Sequence, residues 1–120
     1  MPSRRWRVRV EDILQAISKI EQYTAGMTFE TFRADDKTVD AVVRNLEIIG
    51  EASHNVPPPI RRRYSHLPWG KMVGIRNVLI HEYSGVSLPV VWRTVKKDLP
   101  PLVALLREML EGEQDDVAGI

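Results

Sequence analysis

Apolar residues recur every three or four positions along most of the chain, as they do in helices that each bury one face. The first such stretch begins at Val10 and ends at about Thr24, just before Gly26. The next long stretch begins at Thr38 and must end before residues 57–59, because three consecutive prolines cannot donate to a helical hydrogen-bond ladder. The pattern therefore predicts two long helices in the first half of the chain.

Shorter elements and a third long helix follow the same pattern. Thr28 can cap a short helix that carries Phe32 into the core, and residues 60–64 can form a single turn. A helix is expected from Pro68 to about Tyr83, since proline is favoured in a first turn. This helix carries most of the candidate chemistry.

The last helix is predicted to begin after Ser87, which can cap it. Its apolar residues keep one helical phase through Pro100–Pro101, which indicates a kinked helix, or two nearly coaxial helices with Asp98 capping the second. Residues 1–7 and 112–120 are expected to fray. The sequence thus predicts one all-α domain over all 120 residues, an up-and-down bundle of about five to six helices.

Polar side chains concentrate in the helix expected to end near Tyr83. Arg76, Asn77, His81 and Tyr83 lie within eight residues that are otherwise mostly apolar. Histidine can give or take a proton near neutral pH, and the planar guanidinium of arginine fits a phosphate. Together they suit RNA cleavage without a metal: the 2′-hydroxyl attacks the adjacent phosphorus, His81 moves a proton, and Arg76 stabilises charge on the phosphoryl oxygens. Asn77 could hold the imidazole ring or the phosphate.

The candidate residues fall on different faces of this helix. At about 100° per residue, Gly70, Gly74, Asn77 and His81 form one stripe of small and polar groups, along which we expect something to approach closely. Arg76 lies roughly 140° from His81 on an ideal helix. A long side chain, a helix end or a second copy of the chain is therefore needed to bring the two together.

A structural role for Arg76 is an equally good interpretation of the residues alone. Glu47 and Glu51 lie one turn apart in the preceding long helix and repel each other unless a cation sits between them. That cation could be Arg44, which is also spaced to pair with Asp40, or it could be Arg76. In the second case the arginine would belong to a buried ion pair and not to a catalytic site.

Composition excludes several classes of site. The chain has no cysteine, which excludes disulfides, thiolate metal sites and cysteine nucleophiles. Its three histidines are scattered, so we predict no metal and no cofactor. No run of about 18 apolar residues is present to span a membrane, and the basic start leads into Glu11 and Asp12 instead of an apolar signal core. We therefore expect a cytoplasmic protein.

The formal net charge of +1 conceals an uneven distribution. Four arginines lie in residues 1–9 and three more in residues 61–63, whereas the tail after Leu110 is acidic. Basic clusters can follow an RNA backbone, but each cluster is at least as well explained as solvated surface charge.

The motif helix and its flanks resemble a known family. Arg76, four residues, His81, one residue and Tyr83 is similar to the signature of the HepT-type toxins, small ribonucleases of the HEPN superfamily. The resemblance extends from about Val10 to Leu110. Flanking segments that carry it are Arg44–Ala52, Pro68–Trp69, Val91–Trp92 and Asp98–Pro100.

The resemblance implies a HEPN-type helical fold and a homodimer. Arg76 and His81 of both subunits would line a shared cleft and cleave RNA. It favours catalysis over the structural role for Arg76, with Asn77 supporting the site and Glu51 orienting the arginine. The expected activity is that of a metal-independent endoribonuclease.

The resemblance also implies a partner, an MntA-type nucleotidyltransferase antitoxin, as in a type VII-like toxin-antitoxin system. Such antitoxins use ATP to attach AMP to the motif tyrosine, here Tyr83. The added phosphate would inhibit the neighbouring Arg76 and His81 by charge and bulk. Two other interpretations remain. The chain could be a non-catalytic helical module that binds a nucleotidyltransferase or a nucleotide in the same cleft. It could also be a purely structural bundle in which the side chains of the polar stripe all pair within the protein.

Overall fold

Helices account for nearly all of the computed structural model, which describes residues 2–81 and 87–118 and the side chains of residues 5–76 and 87–112. In chain order the elements are α1 (Pro2–Thr24), α2 (Phe29–Arg33), α3 (Asp36–His54), α4 (Pro58–Arg63), α5 (Trp69–His81), α6 (Leu88–Arg93), a π-helical turn (Thr94–Asp98) and α7 (Pro100–Ala118). No strand occurs among these described residues. The predicted all-α fold is confirmed.

Side-chain caps explain where the short helix α2 and the long helix α3 begin. The Thr28 hydroxyl accepts a hydrogen bond from the backbone N–H of Thr31 at 3.2 Å, as the sequence predicts. For α3 the cap is Asp35, which accepts from the backbone N–H of Thr38 at 3.1 Å, so the helix begins at Asp36. This start lies two residues before the Thr38 start predicted from the apolar spacing.

The first helix starts earlier than its apolar spacing predicts because Trp6 extends the buried stripe. Trp6 is 0% exposed and its ring lies 6.1 Å from that of Tyr64, measured between centroids. The neighbouring Arg7 donates from Nη1 to the backbone carbonyl of Leu110 at 3.0 Å. These contacts fix the first turns of α1 against the far end of the chain, in the direction of α7.

The centre of the fold is α3, which packs against both α1 and α5. Its inner face carries Val42, Leu46 and Ile49, which are at most 1% exposed. Large side chains from other elements that are equally buried are Trp6, Val10, Ile13, Ile17, Ile20, Phe32, Met72, Leu99, Leu106 and Met109. Each such side chain contributes about 1.5–3 kcal/mol of transfer free energy, and together they hold α1 and α5 on α3.

The two prolines near the start of α7 produce a local change of helix type. The N–H of Leu99 donates to the carbonyl of Thr94 at 3.0 Å, five residues earlier, which defines the π-helical turn. Proline has no N–H, and its ring clashes with the carbonyl four residues before it, so the ladder must widen ahead of Pro100–Pro101. The predicted interruption is therefore a π-helical turn. Asp98 is exposed and makes no hydrogen bond to any described residue, so the prediction that it caps the second part is wrong.

The described residues contain neither a helix that could span a membrane nor a cluster of metal ligands. None of the described helices has the combined length and apolar character needed to cross a bilayer. Within the same residues, no three His, Asp or Glu side chains converge as a metal ion would require.

Candidate active site around Arg76

The position of Arg76 depends on how closely α5 approaches α3 at Gly50. A Cβ atom built on Gly50 would lie 2.7 Å from the Cβ of Arg76 and 2.9 Å from its backbone nitrogen. Real Cβ atoms do not come this near, so only glycine allows the two backbones their present separation. Gly50 therefore sets the distance between the two helices at the residue that carries the guanidinium.

The residue after Gly50 binds the Arg76 side chain. Nη1 of Arg76 donates to Oε2 of Glu51 in a charge-assisted hydrogen bond. Asn55, one turn later on the chain, donates from Nδ2 to the backbone carbonyl of Glu51 at 3.0 Å and reaches Oε1 at 3.5 Å. The hydrogen bond from Arg76, followed by its positive charge, lowers the pKa of the Glu51 carboxyl below its ordinary value. The carboxylate is thus ionised and oriented at neutral pH.

The ion pair between Arg76 and Glu51 is exposed to solvent. The Arg76 side chain is 39% exposed and the Glu51 side chain 56% exposed. The structural alternative for Arg76 requires a buried pair, and the described residues of one chain do not bury this pair. Because arginine has five N–H donors in a planar fork, one hydrogen bond to Glu51 leaves others available for a phosphate.

Arg76 lines an open cleft of about 450 Å³. One wall comes from α1 and the other from a face of α3, and among the described side chains of α5 Arg76 alone lines it. The lining residues are Arg9, Asp12, Arg44, Glu47, Ile48, Glu51, Ala52, Asn55 and Arg76. The cleft has room for a ligand beside the guanidinium, and its lining is mostly charged.

A comparison with protein families places the chain in a known group. The family model described as "Ribonuclease HepT-like" matches residues 13–109, which include Gly50, Glu51 and Arg76. The chain belongs to the HepT-like ribonuclease family. The match confirms the resemblance and the prediction that the chain is a ribonuclease.

Individual relatives agree with the family assignment. A protein named "Probable ribonuclease HepT" in Thermococcus cleftensis is 50% identical over 93 residues, which cover 78% of this chain and 84% of that protein. A relative with an RNase name in Caldanaerobacter subterraneus subsp. tengcongensis is 40% identical over 108 residues, covering 90% and 96% of the two chains. Another, from Methanocaldococcus jannaschii, is 36% identical over 119 residues, covering 97% and 98%. No solved structure matched the chain.

In this HepT-like ribonuclease, the described residues bring together only part of the predicted site. Arg76 and Glu51 are in contact, which both the catalytic and the structural interpretation of Arg76 predict. Asn77 and His81 lie in α5, but their side chains are outside the described residues. Tyr83 is also outside them. Whether Arg76 meets His81, and what surrounds Tyr83, therefore stay predictions.

The close approach predicted along the glycine stripe of α5 does not occur within the described chain. A Cβ built on Gly70 or Gly74 would have nothing within 4 Å. The close approach is instead made by Gly50 on α3, which the apolar pattern assigns to the buried stripe of its helix. The described part of the stripe, Gly70 and Gly74, is left open by the described residues.

Sequence reasoning missed several residues of the cleft, although a signal for some of them was present. Arg44, Glu47, Glu51 and Asn55 are spaced by three or four, so they share one face of α3. Extending this spacing by one turn beyond Glu51 would have found Asn55. No comparable signal relates Arg9 to this face, because nothing in the local sequence says how α1 and α3 pack.

Proposed function

We propose that this HepT-like ribonuclease is a metal-independent endoribonuclease in which Arg76 and His81 act on one RNA phosphate. The observation that carries the proposal is the exposed Arg76 guanidinium, which binds Glu51 and lines an open cleft. A purely structural arginine would be expected to lose its exposure, whereas a phosphate-binding arginine needs donors that face solvent. RNA is the substrate class that the family name indicates.

The reaction needs one nucleophile that RNA itself provides. The 2′-oxygen attacks the adjacent phosphorus and forms a new P–O bond while the bond from phosphorus to the 5′-oxygen of the next nucleotide breaks. His81 moves the proton that leaves the 2′-hydroxyl or the one that the departing oxygen gains. The products are a 2′,3′-cyclic phosphate and a free 5′-hydroxyl, so no water or metal enters the balance.

In this scheme Arg76 stabilises the transition state. N–H donors that do not bind Glu51 point to the non-bridging oxygens, on which negative charge accumulates. Glu51 keeps the guanidinium from reorienting as that charge develops, and Asn77 supports the imidazole or the phosphate. Removing a single preorganised donor of this type typically costs about a hundredfold to a thousandfold in rate.

We further propose that the active form is a homodimer. Arg76 and His81 point in directions about 140° apart on one ideal helix, so a second copy can bring His81 of one subunit to Arg76 of the other. A Cβ built on Gly70 or Gly74 would meet none of the described atoms within 4 Å, which leaves space for a second backbone at these two positions of α5. The comparisons neither test nor oppose this assembly.

The proposed regulation is transfer of AMP from ATP to Tyr83 by an MntA-type nucleotidyltransferase, which makes the chain the toxin of a type VII-like system in the cytoplasm. Tyr83 lies two residues after His81. An AMP group there would place a phosphodiester charge and a large group next to the catalytic residues, where an RNA phosphate must bind.

Two variants of the purified chain test the catalytic proposal. Arg76→Ala and His81→Ala should each abolish cleavage of total RNA in the presence of EDTA, while circular dichroism retains the helical signal. Arg107→Ala, a change at an exposed position of α7, is the control and should cleave at the normal rate. Full activity of either active-site variant would remove that residue from the mechanism.

A further inference from the structure

We infer that the cleft between α1 and α3 binds RNA phosphates next to the cleaved one, through Arg9 and Arg44. The inference rests on the proposed function, because Arg76, which lines the cleft, is taken to mark the reacting phosphate. Arg9 and Arg44 line the same open space as Arg76 and Glu51. A strand whose reacting phosphate lies at Arg76 can therefore continue past them without leaving the surface.

The spacing along α3 suits a strand of nucleic acid. Arg44 precedes Glu51 by seven residues, which is two turns or about 10 Å at 1.5 Å per residue. A stacked strand rises about 3.4 Å per nucleotide, so Arg44 lies about three nucleotides, or fewer in an extended strand, from the reacting phosphate. Arg9 approaches the same space from α1, and the packing of α1 on α3 fixes the width between the two arginines.

Arg9 and Arg44 both lack a bonding partner within the described residues. Arg9 and Arg44 are exposed and form no ion pair or hydrogen bond through their side chains with any described residue. Other arginines differ in this respect: Arg7 donates to the carbonyl of Leu110, and Arg33 is paired with Glu30 at 3.0 Å. The two cleft arginines thus keep their donors available for phosphate oxygens.

The carboxylates that line the cleft lead to a second prediction, in which RNA binding becomes stronger instead of weaker. Asp12 and Glu47 line the same space, and neither forms an ion pair with a described residue, so their negative charges repel a phosphate that passes. Neutralising Glu47 should therefore strengthen RNA binding, whereas neutralising Arg44 should weaken it. A surface on which charge has no role in binding would show neither change.

The test is direct binding of a short, fluorescein-labelled RNA in which every 2′-oxygen is methylated, so that no nucleophile is present and cleavage cannot occur. Arg9→Gln and Arg44→Gln should each weaken binding by about threefold, as for an exposed charge pair. Each should also reduce the slope of log affinity against log salt by about one. Glu47→Gln should bind more tightly than the unmodified protein. Arg107→Gln, an exposed arginine on α7 outside the cleft, is the matched control.

The outcomes separate this inference from the proposed function. If Arg9→Gln and Arg44→Gln both left the affinity for RNA and its salt dependence unchanged, the cleft would not be a phosphate-binding site. This would hold even if Arg76→Ala abolished cleavage. If these variants bound RNA more weakly but Arg76→Ala cleaved it at the normal rate, the cleft would be supported as an RNA-binding site, and the catalytic role proposed for Arg76 would be wrong. With a cleavable RNA, Arg44→Gln should raise KM and leave kcat unchanged. A lower kcat at constant KM would contradict a binding role.

Discussion

Replacing Gly50 with alanine should move Arg76 without altering any side chain that is proposed to contact RNA. The new Cβ would lie 2.7 Å from the Cβ of Arg76, and ordinary contact begins at 3.4 Å, so α5 must shift by at least about 0.7 Å. Rotation of a side chain cannot relieve the clash, because the nearest atoms are the Cβ, N and Cα of Arg76. The displacement is therefore transmitted to the guanidinium.

Gly50→Ala is expected to reduce kcat more than it reduces the free energy of unfolding. Overpacking of this kind costs about 1–3 kcal/mol, and alanine recovers about 0.8–1.0 kcal/mol relative to glycine in a helix. The net loss in the free energy of unfolding should lie between about zero and 2 kcal/mol. A misplacement near 1 Å can reduce a catalysed rate about a hundredfold, so the effect on kcat should exceed the effect on stability.

The assay combines urea unfolding with initial rates of cleavage of a defined RNA. Gly112→Ala is the matched control, since Gly112 is also within a helix and a Cβ there would meet only the Tyr64 hydroxyl at 3.9 Å, an ordinary contact. The control should be slightly more stable and fully active. A Gly50→Ala protein that is folded and cleaves at the rate of the control would refute the claim that this contact positions Arg76.

Three further predictions concern the pair, the open stripe and the modified tyrosine. The pKa of Glu51 is lowered in the folded protein, so the pair's contribution to stability is present above the ordinary carboxyl value of 4.5 and is lost as pH falls through the lower folded value. Glu51→Gln should lack this acid-dependent component in urea unfolding measured from about pH 6 to pH 3; an identical pH dependence would contradict the assignment. Gly74→Ala should fold normally but weaken self-association in analytical ultracentrifugation, and unchanged association would count against a dimer through this face. Tyr83→Phe should still cleave RNA but gain no AMP mass from ATP and a nucleotidyltransferase; a modified Tyr83→Phe protein would place AMP on another residue.

Much of the fold follows from apolar spacing because helices bury one face at a fixed period. The stripe in α3 and the cap at Thr28 are local features, and both were predicted correctly. The start of α1 was missed although Trp6 lies four residues before Val10 and continues the same apolar stripe. Its ring packs near Tyr64, a long-range contact that the local pattern does not contain.

The candidate site also depends on contacts between helices, which the spacing within one helix does not specify. The sequence predicted a cation for Glu51 and offered Arg44 or Arg76, and the packing of α5 on α3 selects Arg76. The spacing also allows Asp40 to pair with Arg44, but this pair does not form among the described residues. Exposed pairs on one helix gain little free energy, so spacing alone does not decide whether they exist. The role of Gly50 could not be predicted, since it depends on the distance between two helices.

The most direct test of the account is complementation between two inactive variants, Arg76→Ala and His81→Ala, purified separately, mixed and allowed to exchange subunits. If one active centre combines Arg76 of one subunit with His81 of the other, each mixed dimer regains one intact centre. Random exchange in a symmetric dimer should then restore about one quarter of normal cleavage activity, although each variant alone is inactive. A mixture that exchanges subunits and remains inactive would contradict the shared centre, and activity in either variant alone would contradict the catalytic pair.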